Sequence, residues 1–442
     1  MSHIVETCLL TKLNGSLSRL YPADEDAVSW LIMVYDIHTR KKEQTVKDTS
    51  LHIRGKVYCI CMPSCMLRGA KRGLRQKKID HNTLIDRLRH TYGLTGTTLD
   101  WLRSYLSWRR SFVRWRSCSS DSVSVDTGVP QGSALGPQWF SVYIASLAGL
   151  IRSHGVRYHQ YADDSQVYIA ISRDDADAQL ATLEHCVSEV HEWLLHNGLA
   201  LNPAKSDAVQ FSTGRGCSSV DNVAAINVSG AAIRPASTVK SLGFILDERL
   251  SFNQQINTVC KSCYFHIRAL RHVRDSLPDD VARTVAVNIV TSRLDYCNAL
   301  YVGMSSSNFK KLQRMQNTLA RVVLKQRKFD HVTQSLMELH WLPIRHRMTF
   351  KLATLTYKIL RDNRPDYLSE LLSFYQLERD LRSSSQGVLT VKRTRTVLAT
   401  RGFKHSSLSI WNSLPVDIRN SDTLFGFRRR LIFYFSRHLP PR

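Results

Sequence analysis

The spacing of apolar and polar positions changes twice along the chain, and each change predicts a different kind of structure. Residues 1–66 mix short apolar runs with charge clusters such as Arg40, Lys41, Lys42 and Glu43, and no period lasts long enough to assign an element. Helical spacing predicts helices over 83–90 and 97–108. In the second, Trp101, Leu102, Tyr105 and Trp108 form a stripe read as a core face in preference to a base-stacking platform. Residues 111–127 read as two short strands, 112–115 and 123–125, around a serine-rich turn. Gly128 to Ser133 break that pattern and lead into an apolar helix over 137–151, with Pro137 suited to its first turn. Strands over 156–160 and 166–171 flank Tyr161-Ala162-Asp163-Asp164, a hairpin with two acids at its tip. A helix over 174–196 then stops at Asn197-Gly198. The alternation predicts an α+β sheet with helices on one face.

Beyond residue 250 the period becomes helical throughout, over 254–274, 279–293, 306–325 and 344–360, with basic outer faces. The last stretch mixes strand and helix signals around Arg428-Arg429-Arg430. Pro278, Pro343 and Pro365 are the expected joints, and no internal repeat is present.

Charge narrows the function. The 442 residues carry 61 Lys and Arg against 37 Asp and Glu, a formal charge of +24. A polyanion is the expected partner, because phosphate neutralisation by Lys and Arg releases counterions. From Met66 to Arg116 thirteen Lys and Arg face three Asp (Asp80, Asp86 and Asp100). The ten cysteines show no ladder of spacings, and no signal-peptide core follows the first Met, so a reduced, intracellular setting without disulfides is expected, nucleus or cytoplasm not being distinguished. Cys59, Cys61 and Cys65 lack the second pair that a zinc site needs. Cys260 and Cys263 read as buried thiols inside a helix. No apolar run is long enough to span a membrane.

Two adjacent carboxylates on a hairpin repel one another unless a cation shares them, and hard oxygen ligands suit Mg²⁺. A bare Asp-Asp pair is usually a solvated turn; its neighbours here decide otherwise. Tyr161-Ala162-Asp163-Asp164 resembles the catalytic hairpin of reverse transcriptases. Gly128-Val129-Pro130-Gln131-Gly132-Ser133-Ala134-Leu135-Gly136-Pro137, with Phe140 and Tyr143 after it, is similar to the block of that family that contacts template and nucleotide. Gly198-Leu199-Ala200-Leu201-Asn202-Pro203-Ala204-Lys205-Ser206-Asp207 resembles a later palm block. Leu242-Gly243-Phe244-Ile245-Leu246-Asp247 with Leu250-Ser251-Phe252 looks like the primer grip and start of the thumb in the LINE-type, non-LTR retrotransposon branch. Leu294-Asp295-Tyr296-Cys297-Asn298, Leu339-His340-Trp341-Leu342-Pro343 and Trp411-Asn412-Ser413-Leu414-Pro415 continue the likeness to 442.

The resemblance implies an RNA-directed DNA polymerase working with Mg²⁺ or Mn²⁺ on an RNA template and a DNA primer or target. It implies Asp163 and Asp164 as metal ligands and catalytic residues, Lys205 as the acid for the departing pyrophosphate, and Pro130, Gln131, Gly132, Ser133 and Tyr161 as nucleotide and template contacts. Its fold would be a partial right hand: an antiparallel palm over 79–235, a helical thumb over 236–330 and a basic C-terminal helical region over 331–442. Residues 1–78 stay unassigned, as degraded fingers and first catalytic block. The family's block ending in Phe-Asp-x-x-Asp-His survives only as Ile79-Asp80-His81, with Lys71 at the position of the metal-binding aspartate and Gln76 at that of the residue screening the sugar. The expectation is a reverse transcriptase truncated on its N-terminal side and impaired in catalysis. A non-catalytic RNA- or DNA-binding remnant, or a decayed reading frame without a stable product, are the alternatives.

Overall fold

The computed structural model describes residues 56–65, 79–129, 133, 135–171, 175–211, 225–375, 387–394 and 396–437. They fall into two units that divide between Val239 and Lys240.

The first unit is built on an antiparallel sheet. Strand β1 (Lys56–Cys65) lies in its middle, where no element could be assigned from period. Tyr58 to Met62 are all buried, so the strand is apolar on both faces and carries no alternation to read. Tyr58, Ile60 and Met62 face the main core, joined there by Val167 and Ile171 and by Leu84, Leu102, Tyr143, Ile151, Val187 and Leu194 from the helices. The helix His81–His90 is followed by Gly96–Leu106. Next come the short strands β2 (Arg110–Ser111), β3 (Arg114–Trp115), β4 (Cys118–Ser119) and β5 (Val123–Ser124), paired as β2 with β5 and β3 with β4 in one antiparallel ribbon. The aromatic stripe is not all core: Leu102 is buried, but Trp101 is 55% and Trp108 98% exposed, because the helix ends at Leu106 and the chain turns out into the ribbon. The single apolar helix expected over 137–151 is two, Gly136–Ile144 and Leu147–Ser153, since the junction closes with short three-residue hydrogen bonds from Ala145, Ala148 and Gly149.

Strands β6 (Arg157–Tyr161) and β7 (Asp164–Ile171) form a hairpin at one edge of this sheet. The helix Ala176–His196 stops at Asn197, with Gly198 at φ +68° as the predicted left-handed residue. After β8 (Ala200–Leu201) and a 3₁₀ turn at Pro203–Lys205, β9 (Asp207–Phe211) returns along β1. The sheet order is β6-β7-β1-β8, with β9 also on β1. A small hairpin, β10 (Ile226–Val228) with β11 (Ala231–Ile233), completes the unit, and β12 (Thr238–Ser241) runs across the division.

The second unit begins its helices after β13 (Phe244–Asp247). Asp247 accepts backbone N–H bonds from Ser251 at 2.8 Å and Phe252 at 2.7 Å, holding the turn into the helix Asn253–Val273. Ser306–Val323 and Ile344–Asp362 follow the predicted spacing; the 279–293 stretch passes through a widened π turn at Ala286–Thr291. Pro278, Pro343 and Pro365 each cap a helix start, as an X-Pro joint allows. The Trp411 and Leu414 of the C-terminal block pack with Tyr357, Phe427 and Leu431, Tyr357 stacking on Phe427 at 4.5 Å. Cys263 is buried as expected and Cys260 partly so. Among the described residues no helix is long and apolar enough to cross a membrane.

Candidate functional site

The β6–β7 hairpin closes on the pair Tyr161 and Asp164, leaving Ala162 and Asp163 as its two-residue connection. Only Asp163 sits on the turn; Asp164 is the first residue of β7, one place further into the sheet than the sequence reading put it. Ala162 is held at φ +51°, a conformation that costs a side-chain-bearing residue ~1–2 kcal/mol and is found preferentially where function demands a fixed backbone. Asp163 is exposed and Asp164 half-buried. Burial first, and the neighbouring Asp163 second, hold the Asp164 carboxyl above the usual carboxylate range.

Register relates Lys205 to this hairpin through β1. Across the sheet Asp164 lies opposite Pro63 of β1, while Ser64 and Cys65 pair with Leu201 and Ala200, and Cys61 pairs with Asp207. The 3₁₀ turn that carries exposed Lys205 joins those two partners of β1. The hairpin acids and Lys205 therefore flank the same end of β1 from opposite sides. Tyr161 is half-buried beside the turn. Ser133 uses its hydroxyl to accept the Gly136 N–H at 3.0 Å, starting the helix that follows. Pro130, Gln131 and Gly132 lie outside the described residues, as do Lys71 and Gln76.

The surviving Ile79-Asp80-His81 is structural. Gly128 donates its N–H to the Ile79 carbonyl at 2.7 Å, and His81 Nε2 donates to the Gly128 carbonyl at 2.7 Å, which ties the approach to the glycine-rich block onto this segment. Asp80 is the cap of His81–His90: its Oδ1 accepts the Thr83 N–H at 2.7 Å and the Thr83 hydroxyl at 2.9 Å. It is turned to the helix and committed there.

Behind the site stands a cluster that motif reading missed. Arg87 lies over the Tyr143 ring at 4.6 Å and the Trp193 ring at 5.3 Å, and donates to the Tyr143 carbonyl and to Asn197 Oδ1. The Tyr143 hydroxyl donates to the Asn197 carbonyl at 2.8 Å. This locks the helix after the glycine-rich block to the helix between hairpin and Lys205. The missed strand had a signal in the apolar run Val57 to Met62, bounded by Gly55 and Pro63.

His159 on β6 gives the unit a measurable acid sensitivity. Burial lowers its imidazole from 6.5 to about 4. A folded-state value depressed below the unfolded one adds stability at neutral pH, and that contribution is lost as pH falls through the window from 6.5 to about 4. Between pH 7 and pH 5 the loss should be about 2 kcal/mol, and His159→Gln should remove that slope in denaturant unfolding curves. Asp164, raised instead of depressed, contributes in the opposite sense, its share growing as pH falls.

Strand β1, which flanks the hairpin, has no Asp or Glu, and none occurs anywhere between Asp48 and Asp80. Among the described residues no three His, Cys, Asp or Glu side chains converge to hold a metal ion. Cys59 and Cys61 do not fill the gap: a hydrogen bond with Cys59 and burial keep the Cys61 thiol protonated. The described residues around the hairpin do not by themselves make up a three-carboxylate magnesium site.

Comparison with known proteins agrees with the motifs. Residues 77–246 match the family described as reverse transcriptase (RNA-dependent DNA polymerase). The chain is 29% identical over 230 residues to the Drosophila melanogaster protein named "Probable RNA-directed DNA polymerase from transposon BS", covering 50% of this chain and 25% of that one. It is 25% identical over 217 residues to the RNA-directed DNA polymerase from mobile element jockey of Drosophila funebris, covering 47% and 23%. Over 128 residues it is 27% identical to the Pol polyprotein from type-1 retrotransposable element R1 of Bradysia coprophila, covering 29% and 12%. The chain thus spans about a quarter or less of these relatives. With the glycine-rich block, the Tyr161–Asp164 hairpin and the family match all falling within residues 77–246, that segment is a reverse transcriptase domain of the LINE type, the kind carried by non-LTR retrotransposons.

Proposed function

We propose that this chain binds RNA and DNA through a reverse-transcriptase-derived palm and does not carry out DNA synthesis at an appreciable rate. The observation that supports it is the carboxylate count: the hairpin of Asp163 and Asp164 borders a β1 without an acid, Asp207 lies beyond that strand on β9, and Asp80 is committed as a helix cap. Two-metal nucleotidyl transfer needs ligands for both ions, so that the attacking hydroxyl and the leaving oxygen are each neutralised. Losing one metal-binding carboxylate should slow the reaction by ~10³ or more, on the scale found when catalytic groups are removed. Within this reading residues 79–235 are the palm, 236–330 a thumb and 331–442 a basic C-terminal region. Pro130, Gln131, Gly132, Ser133 and Tyr161 are the template and nucleotide contacts that the family resemblance implies, and Lys205 keeps the position of an acid without a reaction to serve. The charge of +24 supplies affinity for the phosphate backbone, with a steep salt dependence.

The test is primer extension on a primed RNA template with Mg²⁺ or Mn²⁺. No extension is expected, with the wild type indistinguishable from Asp163→Ala, while both bind the template–primer equally. Extension that disappears in Asp163→Ala would overturn the proposal.

A further inference from the structure

The ribbon β2–β5 is exposed along its length. Every residue from Arg110 to Ser124 is exposed. Large apolar side chains stand out along it, with Phe112 57%, Val113 71%, Trp115 73% and Val123 66% exposed, and Trp108 at 98% just before it. Arginines alternate with these rings, at Arg109, Arg110, Arg114 and Arg116, and no acid occurs from Trp101 to Ser120. At the base of the ribbon Trp101 stacks on Tyr105 at 5.7 Å and Arg109 lies over the Tyr105 ring at 5.3 Å.

An isolated two-stranded ribbon is marginal in water, and exposed rings on one make it costlier still. Its composition restricts what can cover it. An apolar protein surface would bury four guanidinium groups without counter-charge, a desolvation that such an interface does not repay. Duplex nucleic acid supplies phosphates, yet its bases are already stacked on one another. A single strand supplies both halves, flat bases for the rings and phosphates for the arginines.

We propose that the 108–116 segment is a binding site for single-stranded nucleic acid, in which Trp108 and Trp115 stack on bases while Arg114 and Arg116 contact the flanking phosphates. This rests on the reading of the domain as a nucleic-acid binder and adds a location and a strand preference to it. The exposed positions make the variants tolerable to the fold, which the thermal midpoint of each verifies.

The experiment titrates the intact chain with a twenty-nucleotide oligothymidine, with a blunt duplex of the same length, and with vesicles containing phosphatidylserine. The double variant Trp108→Ala, Trp115→Ala should weaken oligothymidine binding by about tenfold or more and leave duplex binding within about twofold, since two stacked rings at ~1 kcal/mol or more each together account for at least that much. The double variant Arg114→Gln, Arg116→Gln should reduce the slope of log affinity against log salt by about 1.4, two phosphates at ~0.7 each on a single strand. Oligothymidine binding that is unchanged in the tryptophan variant overturns the ribbon site while leaving the nucleic-acid reading intact. A wild type that binds neither oligonucleotide overturns both. Vesicle binding that is tighter than oligothymidine binding and is lost in the tryptophan variant makes the ribbon a lipid surface, and a wild-type dimer that the same variant dissociates makes it a protein contact; either overturns the proposal.

Discussion

Tyr143→Ala lowers the unfolding free energy by about 4 kcal/mol, whereas Tyr143→Phe lowers it by about 1 kcal/mol, in chemical denaturation at neutral pH. Tyr143 is 1% exposed and sits in the main core of the first unit. Truncating it leaves a cavity in a close-packed interior, and its packed neighbours cannot all collapse into it. The larger part of the effect is that cavity. The smaller part is the hydroxyl, which donates to the Asn197 carbonyl at 2.8 Å and accepts the Asp80 N–H at 3.5 Å, so the Phe variant leaves one acceptor and one donor without it. Arg87 adds a penalty specific to alanine, because its guanidinium lies over the ring at 4.6 Å and burial already lowers its pKa. Equal losses in the two variants would mean that the hydroxyl, and not the ring, carries the site.

Arg347→Ala should cost about 3 kcal/mol, and pairing it with Asp295→Leu should restore part of that loss. Arg347 is buried in the helix Ile344–Asp362 and donates through Nε to Asp295 Oδ1 at 2.8 Å, with its second arm on Oδ2. Asn298 donates to the same Oδ1 at 3.1 Å. Removing the arginine strands a carboxylate whose side chain is 33% exposed, so the loss falls at the low end for a broken buried pair. Removing both charges abolishes the stranded acid, which is why the double variant should be milder than the single one. A double-mutant cycle read by unfolding midpoints measures the coupling; additive losses would mean that the fork is idle. Asp295 and Asn298 belong to a block recognised by resemblance, and their visible work in this structure is to join Arg347 to the turn before 298–301.

The acid dependence of His159 and the extension assay probe the first unit in different ways. A unit that unfolds more easily at pH 5 yet never extends a primer is the combined outcome expected if the proposed function holds.

Amino-acid order alone was enough for the elements whose period is undisturbed: the helices near 83–90, 254–274, 306–325 and 344–360, the β6 and β7 strands, and the stop at Gly198. It was also enough for the domain family, because the glycine-rich block and the Tyr161–Asp164 hairpin are local motifs whose residues lie side by side in the chain. The α+β class of the first unit follows from the same alternation. Tertiary structure alone decided three matters. Strand β1 is central and buried on both faces, so its run Val57 to Met62 has no polar side from which a period could be read. The fate of Asp80 depended on whether a helix started immediately after it, and capping Thr83 takes the carboxylate that a motif count leaves available. Trp101 and Trp108 share a helical stripe with buried Leu102, but burial depends on what packs against the stripe, and the chain leaves the core at Leu106. Period records which residues share a face; only the packed neighbours determine whether that face meets protein or water.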